Sequence, residues 1–228
     1  PRDICFIGGP TADEFGNVPW EHEPVRIEEC ELAAATKNSG GTVVVQVERL
    51  AQRGTLPPTQ GVIPGALVDY IVVGAPENCR QHYDSSIETP YVPSWTGEIR
   101  IPLGSMEPLP LNARKVCGRR GLFELKPGGF TNLGVGIPTT VPAVANEEGL
   151  ADQVILSIES GATGGVPAGG LSTGASYNPE AILKQPDLFD LYDGGGPVVA
   201  HLGLSQVDAA GNENVLKFSA RVTGPGGV

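Results

Sequence analysis

Glycine and proline divide the apolar parts of this chain into short pieces, which limits the elements that it can form. There are 32 glycines and 21 prolines among 228 residues, and the glycines lie between apolar runs without a fixed period. This distribution favours loops between short elements over a low-complexity segment. Three β-branched runs bounded by glycine or proline are predicted to be buried strands, at residues 4–8, 43–47 and 68–73.

A helix is predicted between the first two strands. Residues 25–38 carry apolar positions at Ile27, Cys30 and Ala34, and Gly40 follows as a stop signal. Acidic residues near the start of this segment and a lysine near its end suit the helix dipole. The order strand, helix, strand indicates an α/β fold with open, mainly parallel sheets and flanking helices.

A second α/β unit is predicted after a proline-rich stretch. Residues 75–111 contain many prolines and little periodicity, which favours an extended segment with one edge strand at 97–102. We therefore divide the chain into residues 1–92, a linker at 93–111, and residues 112–228. In the last part we predict helices at 112–125 (with Asn112 as N-cap), 138–148 and 178–185, and strands at 130–133, 154–158 and 198–202.

An internal repeat connects the two units. A set of glycine, aspartate, glycine and asparagine recurs with the same spacing, each time after an apolar strand. The set is Gly8, Asp13, Gly16 and Asn17 in the first copy and Gly203, Asp208, Gly211 and Asn212 in the second. Because Asp-x-x-Gly-Asn is also a common turn signal, chance similarity is the alternative.

If the repeat is real, the chain contains incomplete parts of two related domains, the end of one and the beginning of the next. These two parts could then complement each other as one rearranged domain, within the chain or between two chains. That arrangement requires the strands of residues 4–73 and 130–202 to share one sheet.

Charge and cysteine content exclude several classes of partner. The net charge of −11 repels nucleic acid and anionic membranes, so neither is expected to bind. The cysteines lack CxxC spacing and metal-ligand spacing to histidine, which predicts reduced thiols and no metal site; they are Cys5, Cys30, Cys79 and Cys117. The first residues lack the features of a signal peptide, so we expect a cytoplasmic protein, and the missing initiator methionine suggests an excised piece.

Glu159 is the strongest candidate for chemistry. It ends the apolar run in LSIESGATGG and is followed by Gly161, Gly164 and Gly165. A carboxylate at the end of a buried strand loses hydration, which makes it a better nucleophile or base, and strand ends are where open α/β sheets bind ligands. The glycines would let a substrate approach the backbone and would leave amides free to donate. The alternative is a solvated glutamate at a strand end.

The segment FTNLGVGIPT turns from a strand into a helix through Gly134 and Gly136. Its amides could hold a phosphate or a carboxylate. Gly134-x-Gly136 with a later acidic residue also fits a dinucleotide site, but Thr139 stands in place of the third glycine, so nicotinamide binding is the weaker interpretation.

Two further motifs favour structural interpretations. Ser172 matches the Gly-x-Ser-x-Gly elbow of hydrolases, but no strand precedes it and only His201 follows as a base, so a loop residue is favoured. A basic cluster is interpreted as a solvated helix face, with attraction of an anionic substrate as the alternative. Its members are Arg114, Lys115, Arg119, Arg120 and Lys126.

Three segments together resemble the family I coenzyme A transferases of the acetate or propionate type. They are ELKPGGFTNLGVGIPT, IESGATGGVPAGG and NPEAILKQPDLFDLYDGGG, and the likeness covers nearly the whole chain. Glu159-Ser160-Gly161 matches the family's Glu-x-Gly motif, in which the glutamate is the covalent nucleophile. The resemblance implies the CoA-transferase fold and transfer of coenzyme A between a short-chain acyl-CoA and a carboxylate through a glutamyl-CoA thioester. It also implies that Gly226 and Gly227 are oxyanion donors.

The resemblance further implies coenzyme A as a substrate, no metal or redox cofactor, and a homo-oligomer. Pro225 stands where this branch usually has cysteine, and Ala162-Thr163 replaces a Pro-Ile pair, which could change acyl selectivity. The chain lacks the family's N-terminal CoA-binding glycine loop and stops soon after the oxyanion glycines. An inactive structural fragment is therefore one alternative, and a nucleotide-binding oxidoreductase is the other.

Overall fold

The computed structural model describes residues 3–80, 82, 84, 86–89, 91–218 and 220–222. Strands and helices alternate along the chain, as the apolar runs predict. Up to residue 80 the elements are β1 (Ile4–Asp13), β2 (Val18–Pro19), α1 (Glu29–Asn38), β3 (Thr42–Ala51), β4 (Gly61–Ile63) and β5 (Tyr70–Val73).

The later elements form a second unit. They begin with α2 (Pro93–Thr96), α3 (Ala113–Leu122), β6 (Phe130–Leu133), α4 (Thr140–Glu147), β7 (Ile155–Ser157), β8 (Ala162–Thr163), β9 (Val166–Pro167), β10 (Ser176–Tyr177) and β11 (Ala181–Ile182). They end with α5 (Gln185–Asp193), β12 (Val199–His201), β13 (Gln206–Val207), β14 (Glu213–Asn214), β15 (Lys217–Phe218) and β16 (Arg221–Val222). Among all the residues that the structure describes, no helix has both the length and the apolar character needed to cross a membrane.

The first sheet is parallel, with strand order β1-β3-β5 and α1 as the crossover between β1 and β3. Side chains alternate along each strand, so one face collects the buried set and packs against the helix. Cys5 pairs with Val43 and Ile7 with Val45 in the strand register. These residues form the core of the first unit, with Ala33 of the helix.

The opposite face of this sheet is open, which corrects the prediction that all three strands are buried. Phe6 is 72% exposed and Tyr70 is 63% exposed, and Ile4 and Val72 are also exposed. An apolar run is typical of a parallel strand that is covered on both faces. Here α1 covers only one face, so the run at 68–73 becomes a largely exposed edge strand.

The second sheet has strand order β11-β8-β7-β6-β12. β7, β6 and β12 run parallel, and β8 and β11 join antiparallel. Leu133 and Leu156 pack with Val141 of α4 on one face of this sheet. The helix predicted at 112–125 is confirmed as α3, with the Asn112 side chain accepting a hydrogen bond from the Lys115 amide at 3.0 Å.

The two sheets are separate, so the prediction that their strands share one rearranged sheet within the chain is wrong. Strand β1 lies at the edge of the first sheet and β12 at the edge of the second. Each therefore has one neighbour in its sheet among the described residues.

The predicted helix at 178–185 is also wrong. Asn178 adopts φ 52, and its side chain bonds the backbone of Ile101 in both directions, at 2.8 and 2.9 Å. Residues 181–182 form β11 against β8, and the helix starts only at Gln185. Proline at position 179 is compatible with a first helical turn, but the left-handed residue before it and the antiparallel pairing with β8 decide the conformation.

The segment predicted as a linker packs against the second unit. Trp95 of α2 is 1% exposed, packs on Ala168 and Ala175, and makes an edge contact with Tyr177 at 5.6 Å between ring centroids. The predicted edge strand at 97–102 does not form within the described residues. This segment is therefore held by burial of a large aromatic ring, and not by hydrogen bonds to a sheet.

The internal repeat forms the same turn twice, which supports a real relationship between the copies. In the first copy, Asp13 Oδ1 accepts from the amide of Asn17 at 2.9 Å and Asp13 Oδ2 accepts from its side chain at 2.8 Å. In the second, Asp208 receives the corresponding bonds from Asn212 at 2.9 and 2.8 Å. The glycine in each turn has nearly the same positive φ, +84° and +85°.

The two turns differ in burial, so we expect Asp13→Ala to cost more stability than Asp208→Ala. Asp13 is 2% exposed, and its loss leaves the amides of Phe15 and Asn17, which it accepts from in part-buried hydrogen bonds, without this acceptor, which costs about 2 kcal/mol. Asp208 is exposed, so water can replace its oxygens and we expect a loss below about 1 kcal/mol. Urea unfolding followed by circular dichroism measures both values. Equal losses would contradict this account.

Candidate active site

Glu159 lies in a turn that directly follows β7, and it is half-buried. The turn is closed by a hydrogen bond from the Gly161 amide to the Ile158 carbonyl at 2.9 Å. Gly161 has φ +119°, and a Cβ there would lie 2.0 Å from the Leu183 carbonyl oxygen. Only glycine fits this position, so the turn that presents Glu159 depends on it.

A network of polar side chains holds the Glu159 carboxylate. Asn132 donates from Nδ2 to Glu159 Oε1 at 3.3 Å. The Tyr192 hydroxyl donates to Asn132 Oδ1 at 3.1 Å and lies 2.9 Å from Ser157 Oγ. Ser157 Oγ is also 2.9 Å from the Thr131 carbonyl oxygen. These groups form one continuous chain of contacts that ends on the carboxylate.

The strand register brings this network together. β6 and β7 run parallel with Asn132 opposite Ser157, so both side chains point to the same sheet face. α5 lies against that face, where the Tyr192 ring is 6.0 Å from the Phe130 ring. Asn132 is 7% exposed and Ser157 is 0% exposed, and buried polar groups of this kind need partners.

Sequence reasoning missed Asn132, Ser157 and Tyr192. A usable signal was present, because Asn132 and Ser157 are polar residues in runs predicted to be neighbouring parallel strands. Tyr192 had no such signal, since it lies on a helix that was predicted at the wrong place.

Burial raises the pKa of Tyr192, the hydrogen bond with Ser157 opposes this, and the charge of Glu159 raises it further. The hydroxyl is therefore a donor at neutral pH.

The predicted binding glycines lie near Glu159, but several of their amides are already bonded within the fold. The Gly134 amide donates to the His201 carbonyl at 2.8 Å, and the Gly164 amide donates to the Leu156 carbonyl at 2.7 Å. With the Gly161 amide, these groups are not free to hold a ligand as expected. Close approach of a substrate to the backbone of these glycines stays a prediction.

Two other predicted binding glycines take positive φ, and the predicted oxyanion donors are not described. Gly165 has φ +71°, and a Cβ there would lie 2.0 Å from the Tyr177 carbonyl oxygen. Gly136 has φ +92° and precedes the short helical turn that leads into α4. Gly226 and Gly227 lie outside the described residues.

Ser172 and His201, the weak hydrolase pair, lie in different parts of the structure. Ser172 donates to Asp84 Oδ2 at 3.1 Å, whereas His201 lies on β12 beside Gly121. Burial lowers the pKa of His201, and the charge of Glu124 opposes this. The structure therefore does not bring Ser172 and His201 together.

The basic cluster is largely paired with carboxylates, as a structural helix face would be. Lys115 lies 2.6 Å from Glu147, and Arg120 lies 2.6 Å from Glu124. Arg119 pairs with Glu148. No group of three metal-ligating side chains occurs in the part of the chain that the structure describes.

A cleft of about 630 Å³ lies between the two units and reaches Ser160, the residue after Glu159. Trp20 and Trp95 line it but are buried, and its exposed apolar side chains are Phe6 and Leu171. The Ser160 hydroxyl donates to the Gly174 carbonyl at 2.7 Å, which ties the active-site turn to the wall of this cleft. The cleft is therefore a candidate site for an apolar part of a ligand.

Glu23 also lines this cleft and is a half-buried titratable group. Burial, together with the smaller effect of the charges of Glu29 and Glu21, raises its pKa to about 8. Glu23 is consequently protonated at neutral pH and adds no charge to the cleft.

Relatives align with 99% of the chain. Caffeate CoA-transferase of Acetobacterium woodii is 46% identical over 230 residues, which is 43% of that protein. Acetate CoA-transferase YdiF of Escherichia coli K12 is 38% identical over 225 residues, which is 41% of that protein. The chain thus spans about two fifths of the length of the curated relatives that it matches. Comparison with protein-family models gives no match.

Solved structures agree with these relatives. The apoenzyme of acyl-CoA transferase YdiF from E. coli O157:H7 matches with a TM-score of 0.84 at 38% identity, covering 99% of this chain and 41% of that one. A thioester complex of the same enzyme with CoA matches with a TM-score of 0.84 at 37% identity, covering 99% and 40% of the two chains. A malonate decarboxylase α subunit from Acinetobacter baumannii, at 17% identity and a TM-score of 0.51, shares the fold alone.

The raised pKa of Glu23 predicts a dependence of stability on pH. The folded state binds this proton more tightly than the unfolded state, whose carboxyl has a pKa near 4.5. Stability should therefore fall as pH rises from about 4.5 to about 8. Glu23→Gln should remove this fall and be more stable than the parent at pH 8.5, by on the order of 2 kcal/mol.

Urea unfolding between pH 4.5 and 8.5 measures this effect. Glu107→Gln, a substitution of an exposed glutamate outside the cleft, is the matched control and should keep the parent's pH dependence. An unchanged pH dependence in Glu23→Gln would show that this carboxyl does not titrate in the predicted range.

Proposed function

The chain belongs to the coenzyme A transferase family, and we propose that the protein moves coenzyme A between an acyl-CoA and a free carboxylic acid through a thioester on Glu159. The predicted family and its open α/β fold are confirmed by the matches to YdiF. Because the chain aligns with about two fifths of each relative, the activity is proposed for a protein of the relatives' length.

One observation supports the assignment of the nucleophile. Glu159 follows a buried parallel strand, is half-buried, and is held by a donor on Oε1 in a turn that only glycine at 161 permits. A carboxylate fixed in this way presents its second oxygen, Oε2, to a substrate without reorganisation. Partial loss of hydration makes that oxygen a better nucleophile.

The proposed reaction begins when Glu159 attacks the thioester carbonyl of the acyl-CoA. The CoA thiolate leaves and a mixed anhydride forms between Glu159 and the acyl group. The thiolate then attacks the Glu159 Cδ atom, the acid leaves as a carboxylate, and a glutamyl-CoA thioester remains. An acceptor carboxylate reverses both steps and departs as the new acyl-CoA. The covalent intermediate protects the thioester from loss to water.

Asn132 is suited to stabilise the charge that these steps create. Attack on the Glu159 Cδ atom places negative charge on one carboxyl oxygen, and Asn132 Nδ2 already lies 3.3 Å from Oε1. A donor placed on such an oxyanion lowers the activation free energy by about 3 kcal/mol. Gly226 and Gly227 are proposed as further donors, by the family resemblance alone.

The range of acids is proposed from the relatives and the cleft. The relatives are named for caffeate, an aromatic acid, and for acetate. The cleft beside Ser160 presents the exposed side chains of Phe6 and Leu171, so it offers room and apolar surface for an acyl group larger than acetyl. We further propose coenzyme A as a substrate, no metal or redox cofactor, a cytoplasmic location and a homo-oligomer.

Chemical trapping tests the proposed intermediate. The full-length protein is incubated with acetyl-CoA, treated with borohydride, which reduces a glutamyl thioester to an alcohol, and digested for mass spectrometry. We expect modification at Glu159 and a loss of turnover of at least about 10³-fold in Glu159→Ala. Glu180→Gln, a substitution of another glutamate near Gly164, is the control and should retain turnover.

The same treatment of the present chain tests whether the covalent step needs other parts of the protein. Modification only in the full-length protein would support that requirement. Undiminished turnover in full-length Glu159→Ala would disprove the proposed mechanism.

A further inference from the structure

Tyr192 lies in the last turn of α5 and reaches the polar network on Glu159 without touching the carboxylate itself. We propose that Tyr192 is a positioning residue: its hydroxyl fixes the amide of Asn132 so that the NH₂ group faces Glu159. This inference rests on the proposed function, because it concerns the same nucleophile.

The direction of each hydrogen bond follows from the charge on Glu159. An ionised carboxylate can only accept, so the Asn132 group that faces it must be Nδ2. Oδ1 of Asn132 then faces Tyr192 and can also only accept, so the tyrosine hydroxyl must donate its single proton to it. A reversed amide would place its oxygen against the carboxylate and lose both bonds.

Ser157 completes this chain from the other side. Its Oγ lies 2.9 Å from the Tyr192 hydroxyl and 2.9 Å from the Thr131 carbonyl. The Tyr192 proton is used on Asn132, so the single proton of Ser157, donated to the Thr131 carbonyl, is shared with the Tyr192 oxygen. The donors of Tyr192 and Asn132 therefore point in one direction and end on Glu159, an arrangement in which each bond strengthens the next.

The tyrosine ring is held by packing, independently of its hydroxyl. It lies 6.0 Å from the Phe130 ring and makes an edge contact with the Phe189 ring at 5.6 Å. Burial and the charge of Glu159 raise the pKa of Tyr192, so the donor persists at neutral pH. Tyr192→Phe should thus keep the packing and remove only the hydrogen bond to Asn132.

Loss of this hydroxyl should act on the chemical steps more than on substrate binding. Without it the Asn132 amide can rotate, and its donor is then often misplaced when charge concentrates on Oε1. We expect kcat of the full-length protein to fall about 10-fold in Tyr192→Phe, with KM for acyl-CoA changed less than about twofold. Tyr177→Phe is the matched control, a half-buried tyrosine that contacts Trp95 instead, and should keep both values.

A double-mutant cycle separates positioning from a general structural effect. In an Asn132→Ala background, Tyr192→Phe should cause no further loss, because the residue through which it acts is gone. Additive losses, or an unchanged kcat in Tyr192→Phe, would overturn the inference. If wild type transfers CoA, Glu159→Ala is inactive and Tyr192→Phe equals wild type, this inference fails while the proposed function stands.

NMR of the present chain gives a readout that does not depend on activity. The side-chain amide protons of Asn132 should exchange slowly with water in the parent and at least about 10-fold faster in Tyr192→Phe. Ser157→Ala, which retains the tyrosine donor, should cause a smaller change. Equal exchange in the parent and Tyr192→Phe would show that the hydroxyl does not hold the amide.

Discussion

The parallel pairing of β6 with β7 is the constraint on which the candidate site depends. A shift of one residue would turn Asn132 to the face that packs on α4 and remove the donor from Glu159. Three contacts fix the register: Phe130 opposite Ile155, Thr131 opposite Leu156, and Asn132 opposite Ser157. Alternate residues then serve two purposes, with Leu133 and Leu156 in the core and Asn132 and Ser157 in the polar network.

The sequence alone predicts the features whose hydrogen bonds and packing contacts form between residues close together in the chain. The strand at 130–133, the N-cap at Asn112 and the position of Glu159 after a strand follow from residue type and spacing. The repeated turn follows as well, because an aspartate, a left-handed glycine and an asparagine together satisfy one set of backbone donors. In these cases the partners are only a few residues apart.

The failures concern partners that are distant in sequence. Asn178 binds Ile101, and Tyr192 reaches Asn132, across separations that no periodicity reveals. The run at 68–73 was predicted to be buried because apolar strands usually are, yet the layer that would cover its outer face does not occur among the described residues. Burial is a property of the whole assembly of elements, so composition of one strand cannot decide it.

The edge position of the two repeated strands affects how this chain behaves in solution. β1 presents a row of backbone N–H and C=O groups beside the exposed Phe6 face, and β12 presents a second row on the other sheet. Such rows act as templates for additional strands. β1 carries Pro10, which has no N–H to donate and weakens its row, whereas β12 carries neither a bulge nor a proline. At high concentration the chain should therefore self-associate through strand addition at β12, and the net charge of −11 opposes it.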